Sequence, residues 1–332
     1  MVMLDEIAMN RDTYSFEEAD QRVEQFERLL RQNGIAIQPN SPLERLCLSV
    51  HDVLYKHRVP SSQDPLADIR PWLREVIGMN DLIHKLLRVQ HHASFRQMAR
   101  HLSLLNSGYP LQNIPTSVLD QSSNKIFELL LAAAVMQHGT DVELDDPENS
   151  GGDNPDVLAT IGAKRWGFAC KVAHSGNGKT IFDSISKGVE QIEVSPAEVG
   201  LVVVNLKNIL RHDNYWSILN VDEWRSGQSP VFSGYSSVDD AVDAMNQEVS
   251  GIEQQIRKDV DPGDLAETFF GKKSIPAIAF YVATAITTVL LSSPIPASLG
   301  FIRMFEIGQV RPEDREHLTL VNDGIQYSPR LI

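Results

Sequence analysis

Residues Asn154–Ser175 read NPDVLATIGAKRWGFACKVAHS. Asp156 opens a run of strand-forming residues, Asp156–Ile161. Gly162-Ala163-Lys164 makes a tight connection, and Trp166–Ala173 returns as a second strand with Lys171 near its end. Alternation along the returning strand puts Trp166, Phe168, Cys170 and Val172 on one face, where they pack inward. Gly167, Ala169 and Lys171 share the other. A lysine within such a strand is costly to bury alone. Asp156, on the neighbouring strand, is its natural partner.

The hairpin sits in the middle of a longer pattern. Residues 15 to about 106 carry a helical rhythm. Ser15-Phe16-Glu17-Glu18 is a capping box for a helix to Gln32 that Gly34 ends, and Ser41-Pro42-Leu43-Glu44 opens a second. Pro71–Leu87 and Ser94–Leu105 continue it, with Ser94-Phe95-Arg96-Gln97 as a further cap. Residues 107–116 form a loop, and Pro115–His138 a long helix stopped by Gly139. The period then changes. Asp141–Leu144, the two hairpin strands and Val199–Leu206 read as strands, and Thr180–Glu193 as a helix. Ser237–Lys258 reads as an amphipathic helix, and Pro276–Ile286 and Phe301–Ile307 as further strands. Gly151-Gly152-Asp153 and Gly227–Ser237 are turn-rich loops. The expectation is an all-α N-terminal domain over residues 1–114, followed over 115–332 by an α/β domain with a mixed sheet flanked by helices.

Glu128 is the one charge between Lys125 and His138, inside IFELLLAAAVM on the helix that precedes the sheet. A carboxylate there needs a cation close by. Pairing with Lys125 at the helix edge is the simpler solution, and joining Asp156 and Lys171 the chemical one. Two clustered carboxylates with a lysine are what a divalent cation and a scissile phosphate call for. The metal takes oxygen ligands and polarises a phosphoryl oxygen, and the ammonium meets the charge that develops.

Helix Glu128, strand Pro155-Asp156, strand Lys171 and Gln191 on the following helix together resemble the PD-(D/E)XK nuclease superfamily, over about residues 124–206. The resemblance implies a restriction-endonuclease-like fold and a metal-dependent endonuclease that hydrolyses DNA phosphodiester bonds, in restriction, defence or repair. It implies catalytic roles for Asp156, Lys171, Glu128 and Gln191. Mg²⁺ or Mn²⁺ would be held by Asp156, Glu128 and the backbone carbonyl of Cys170. Homodimers are common in that family. The chain departs from the pattern at Ala169, where the family carries an acid. Either another carboxylate (Glu128, Glu143 or Asp153) completes the metal's surroundings, or the domain is an inactive nuclease-like DNA-binding or scaffold protein.

Ala173–Thr180, AHSGNGKT, fits the loose phosphate-loop pattern and raises a nucleotide hydrolase as a competing reading. Against it, the preceding strand carries Lys171, and Leu201–Leu206 ends in Asn205 rather than the Asp that would help hold a metal. The stretch KLLRVQHHASFRQMARH, residues 85–101, supplies Lys85, Arg88, Arg96 and Arg100 with no acid between Asp81 and Asp120. With Lys179 these are the candidate phosphate contacts, adding affinity without sequence choice. His91-His92 is a poor metal pair, since neighbours on a helix point apart. Trp166 is most simply core, and His174 is a loop histidine close to the returning strand.

The 332 residues carry a formal charge of −14, which argues against a general nucleic-acid coat. The charge is uneven. Residues 1–120 have 13 basic and 15 acidic side chains; residues 213–332 have 9 and 17. The helical N-terminal region and the acidic C-terminal third are therefore the expected surfaces for a protein partner. Two cysteines, Cys47 and Cys170, are too few for a disulfide framework and point to a reducing, cytoplasmic setting. MVMLDEIAMNRD has no apolar core of a signal peptide. Ser274–Ile302 has no charge, but its prolines, threonines and β-branched residues favour a buried strand plus a short core helix over a membrane span.

Overall fold

The computed structural model describes residues 13–14, 16–54, 68–148, 154–290, 293–326 and 330–331. The expected Ser15 cap and the Gly151-Gly152-Asp153 loop, with Asp153, lie outside them. In chain order the elements are β1 (Thr13–Tyr14), α1 (Phe16–Gln32), α2 (Pro42–Leu54), α3 (Arg70–Val89), α4 (Ala99–Ser103), α5 (Gln121–Met136), β2 (Thr140–Leu144), β3 (Val157–Ile161), β4 (Lys164–Val172), α6 (Gly178–Val194), β5 (Val199–Asn205), α7 (Val221–Arg225), α8 (Val238–Asp259), α9 (Pro262–Phe269), β6 (Ser274–Leu290), β7 (Ser293–Glu306), α10 (Pro312–Gln326) and β8 (Arg330–Leu331).

Six strands form one mixed sheet in the order β2-β3-β4-β5-β6-β7. β2, β3 and β4 are antiparallel neighbours, β4, β5 and β6 run parallel, and β7 returns antiparallel to β6. The short strands β1 and β8 pair with each other. Parallel strands need helical crossovers that cover both faces of a sheet, and the core follows that requirement. On one face Trp166, Phe168, Val199, Leu201, Ala279 and Tyr281 pack with α1, α2, α3, α5 and α10. On the other, Ala169, Val202, Val204, Ile278 and Phe280 pack with α6, α8 and α9. The alternation expected along β4 therefore holds, but both faces are buried. Apolar packing runs without a break across residue 114: Phe26, Leu46 and Leu86 belong to the same cluster as Leu130 and Phe168.

The hairpin that opened the reading forms as expected. Ile161 pairs with Lys164 around a two-residue turn, and Gly162 sits first in it with φ 61°. A glycine first suits a type II′ turn. A Cβ there would also come within 2.6 Å of His317 Nε2, so the position excludes larger residues twice over.

The uncharged stretch departs from expectation. Its second half is no helix: Ser274–Leu290 and Ser293–Glu306 make one long antiparallel hairpin. β-branched and alanine residues pack well on a pleat, and the prolines find sites that need no donor. Pro276 falls where the β5–β6 register shifts between Gly200 and Val202, and Pro294 and Pro296 lie on the edge strand β7. Among the described residues no helix is long and apolar enough to cross a membrane. α5 begins at Gln121 rather than Pro115, because the Asp120 side chain accepts from Ser123 N at 2.8 Å and stops the helix there.

Lys85 is corrected. It was expected at a DNA-facing surface, yet it is buried on α3, and its Nζ donates to both Asp81 carboxylate oxygens at 2.7 and 2.6 Å. The pair lies one helical turn apart and turns inward against Tyr281. The 85–101 stretch spans the end of α3 at Val89, a turn, a short 3₁₀ segment and the start of α4. Ser94 does not cap with its side chain; its hydroxyl accepts from Val142 N instead.

Breaking a buried ion pair from one side leaves an uncompensated charge. Asp81→Leu is expected to destabilise the protein by about 3–5 kcal/mol in denaturant unfolding, and adding Lys85→Met to recover most of that loss. Equal stability of the two variants would show that the pair contributes nothing.

Candidate active site

The site forms where β3 and β4 part. β3 begins at Val157, opposite Phe168, while β4 runs on to Val172 beside β5 alone. Asp156, one residue before β3, fills the gap. Its Oδ2 accepts from Cys170 N at 2.6 Å, replacing the ladder bond that a longer β3 would have made. Backbone N–H and C=O of one strand residue project to the same side, so the Cys170 carbonyl faces this edge as well. Asp145 N donates to the Asp156 carbonyl at 3.0 Å and pins the other side of the same residue.

Three more elements deliver side chains to this point. Lys171 Nζ stands 4.0 Å from Asp156 Oδ2 and donates to Gln191 Oε1 on α6. Glu128, on α5, brings its carboxyl against that of Asp156, each acting on the other's charge, and Lys125 lies against both. Lys125 Nζ lies 2.9 Å from Glu128 Oε1 and 3.6 Å from Asp156 Oδ1. His101 Nε2, on α4, is 3.1 Å from Glu128 Oε2. The four expected catalytic residues, Glu128, Asp156, Lys171 and Gln191, thus converge from α5, the start of β3, β4 and α6. Both readings of Glu128 hold at once, since it pairs with Lys125 and joins the cluster.

Burial decides the electrostatics. Glu128 and Asp156 are each 4% exposed. Loss of water pushes both carboxyls up to about 7, against the pull of the lysines; the charge of Glu128 raises Asp156 further. Burial thus holds both carboxyls toward their protonated forms. Lys125 feels burial against its charge, but Glu128 and then Asp156 outweigh it and raise its pKa. Burial, followed by the Lys125 charge, lowers His101 to about 4, so its ring is neutral. Two ammonium groups then face the carboxyl pair, with the charge of Asp145 also acting on Lys125. Both lysine side chains reach solvent, 24% and 18% exposed.

A divalent cation fits the donor set. Two buried carboxyls side by side both offer hard oxygen. Among the described residues no group of three or more His, Cys, Asp or Glu side chains gathers as a metal cage. Mg²⁺ does not require one, because it is commonly held by one or two carboxylates, its own waters and substrate phosphate. Zinc, which favours nitrogen and sulfur ligands, is a poor match.

Ala169 does not face this opening. It is fully buried in the second cluster, and a Cβ on Gly188 of α6 would come within 3.3 Å of its methyl. Helix α6 has closed over the place where an acidic side chain would extend. Of the substitutes considered, Glu143 is half exposed and pairs with Arg165 at 2.7 Å, away from the centre.

Among the expected phosphate contacts, Arg88, Arg96, Arg100 and Lys179 are exposed. Arg100 bonds Asp146, and Lys179 reaches Asp183 at 3.4 Å. In the 173–180 loop, the helix start that a phosphate would need is occupied. The first amides of α6 are already engaged: Gly178 N donates to Asp259 Oδ2 at 2.9 Å and Thr180 N to Asn177 Oδ1 at 2.9 Å. Carboxylate at a helix start repels phosphate. His174 bonds Asn208 through Nδ1, and Trp166 is core, stacked on Phe168. Sequence reasoning missed Lys125 as a member of the centre, although its spacing from Glu128 gave a signal. It also missed His101, for which the chain order gives none.

The raised carboxyl values set a sign for stability. A carboxyl at about 7 in the folded chain, against an ordinary 3.8 for aspartate, keeps its proton on folding across that window. The folded state then binds more protons, and metal-free stability falls as pH rises between those values. Asp156→Asn removes the proton, so its Tm is expected to gain on the wild type progressively between about pH 4 and pH 7. A difference that stays flat in melts across that range would rule out a raised Asp156. Comparison with family models, with curated proteins and with solved structures found no match for this chain.

Proposed function

We propose that the protein is a divalent-metal-dependent endonuclease of the PD-(D/E)XK type, with a restriction-endonuclease-like core spanning α5 to β5. One observation carries this reading: Glu128, Asp156, Lys171 and Gln191, from four separate elements, meet at a single partly open point. The order helix, three-strand antiparallel meander, helix, parallel strand supports it, being the arrangement the resemblance calls for. Asp156 and Glu128, with the Cys170 carbonyl, would hold Mg²⁺ or Mn²⁺. Such an ion polarises a phosphoryl oxygen and lowers the pKa of its water. The chain's own groups do the rest. Lys171 stabilises charge developing on phosphate, and Gln191 accepts from its ammonium and fixes its direction. The neutral His101 imidazole braces Glu128 from behind.

DNA is the proposed substrate. Arg96, Arg100, Arg88 and Lys179 suit phosphate contact by their exposure, while Lys85, buried with Asp81, is withdrawn from that role. The two cysteines, Cys47 and Cys170, are buried and unpaired, which suits a cytoplasmic setting. A protein partner would use the N-terminal helices or the acidic C-terminal third, and a second copy of the chain is the partner common in the family. The second reading, DNA binding without cleavage, is favoured by one observation: the position of the family's second acid is a buried methyl under α6.

Plasmid and linear DNA incubated with the protein in Mg²⁺ and in Mn²⁺ separate the two. Cleavage that drops about 10²–10³-fold or more in Lys171→Ala is the expected result. Retention of DNA on a gel with no cleavage in either metal would favour the binding reading. Ala169→Glu tests the geometry. It is expected to cost about 1–3 kcal/mol of stability through overpacking against Gly188, with no gain in cleavage. A stable, more active variant would mean that α6 leaves room for the missing acid.

A further inference from the structure

The Lys125 ammonium stands between the two carboxyls that would hold the metal, 2.9 Å from one and 3.6 Å from the other. A cation bridging Glu128 and Asp156 would need the same space. Charge alone forbids both from sitting there together. Lys125 is also the best placed of the site's cations to leave. Its stem is flexible, it reaches solvent, and it starts from α5 only one turn before Glu128.

A second observation shows where it would go. Asp145 lies just after β2, with its backbone N on the Asp156 carbonyl. Its Oδ2 is buried and has no hydrogen-bond partner. A buried carboxylate oxygen left unmatched is costly. Asp145 is beyond ion-pair distance from Lys125, yet its charge acts on that ammonium after those of Glu128 and Asp156. It also acts on His101, on the far side of Glu128. Asp145, with one oxygen unmatched, thus acts by its charge on a lysine whose present place a metal would claim.

We infer that Lys125 is an internal counter-ion for the metal-free site, and that binding of a divalent cation moves its ammonium from the Glu128–Asp156 pair to Asp145. This rests on the nuclease reading, since it assumes that the pair is the metal's place. It adds a regulation to it. The empty site is kept from collapsing or repelling itself by its own lysine, so the carboxyls stay together without metal. Metal uptake is then an exchange of one cation for another, and its affinity depends on how well Asp145 receives the lysine. No bond is made or broken in the exchange; one ion pair is traded for another. Lys125 is a positioning residue on this account, because it acts through the carboxyls.

Titrating Mn²⁺ into the full-length protein by calorimetry tests the exchange. The series is wild type, Lys125→Met, Asp145→Asn and the double variant, with melts to show that each is folded. Lys125→Met is expected to bind Mn²⁺ on the order of tenfold tighter than wild type, with the competing charge gone. Binding seen only after Lys125 is removed would be the same result in its extreme form. Asp145→Asn is expected to weaken Mn²⁺ binding about tenfold when Lys125 is present, and much less in the Lys125→Met background. Lys125→Gln repeats the series if Lys125→Met does not fold. Equal or weaker binding in both Lys125 variants would overturn the exchange and leave the nuclease reading standing. So would an Asp145→Asn effect that is the same in both backgrounds. Absence of Mn²⁺ binding in every folded variant would overturn the metal site itself, and the nuclease reading with it.

Discussion

The burial of the Glu128 and Asp156 carboxyls beside each other is the constraint on which the rest of this centre depends. Two neighbouring acids taken out of water cannot both be ionised without help. The fold supplies that help from every direction available. Lys125 comes from the same helix as Glu128, Lys171 from the strand beside Asp156, a backbone amide from Cys170, and a neutral imidazole from His101. Each contact ties a different element to one point. Helices α4, α5 and α6 and strands β3 and β4 are registered by polar chemistry as well as by apolar packing. Apolar packing alone would not fix that register, because Ala132, Ala133 and Ala134 on α5 would tolerate a small slide. A carboxyl that must meet three partners does not.

How legible this was in the sequence depended on whether each signal was local. The hairpin was readable because its turn glycine and its alternation are local facts about 154–175. Glu128 stood out as a lone charge in an apolar helix, which the physics of burial flags at once. Lys125 was visible for the same reason and undervalued: the sequence shows that a lysine can reach Glu128, but not that it also faces Asp156. His101 lies in the basic stretch read as phosphate contacts, and only the packing of α4 on α5 turns it inward. Lys85 failed the opposite way. Its charge counted toward a surface, although Asp81, four residues earlier, offered it a buried partner. The long β6–β7 hairpin was half read, because an uncharged run buried on both faces carries no alternation to separate strand from helix.

Ala169 and Gly188 make a further point about how composition sets chemistry. A methyl facing a glycine lets α6 approach β4 closely, and Val202 fills in beside them. That closeness brings Gln191 to Lys171. An acid at 169 would push the helix away and loosen the same contact. The missing acid and the engaged lysine are therefore two consequences of one packing choice. Glu128 comes from α5, on the face of the sheet opposite α6, and Asp156 from the edge where β3 begins, bonded to Cys170 N. Lys125 and Lys171 meet at that edge.

The electrostatic balance then bears on what approaches. The chain carries −14 overall, so most of its surface repels a polyanion. At the centre the Lys125 and Lys171 ammonium groups face the carboxyl pair, and both side chains reach solvent. Arg100, on the helix that carries His101, is paired with Asp146. Under the proposed reading the two lysines meet a phosphate locally while the acidic C-terminal third repels the rest of a nucleic acid. Under the proposed reading, a long duplex lying flat along the molecule meets repulsion over most of its length. A strand that presents one phosphodiester to the site, at an end, a bend or an unpaired stretch, does not. The uneven charge of the chain and the narrowness of the site thus argue in the same direction, toward recognition of a local feature of the backbone in preference to an extended run of it.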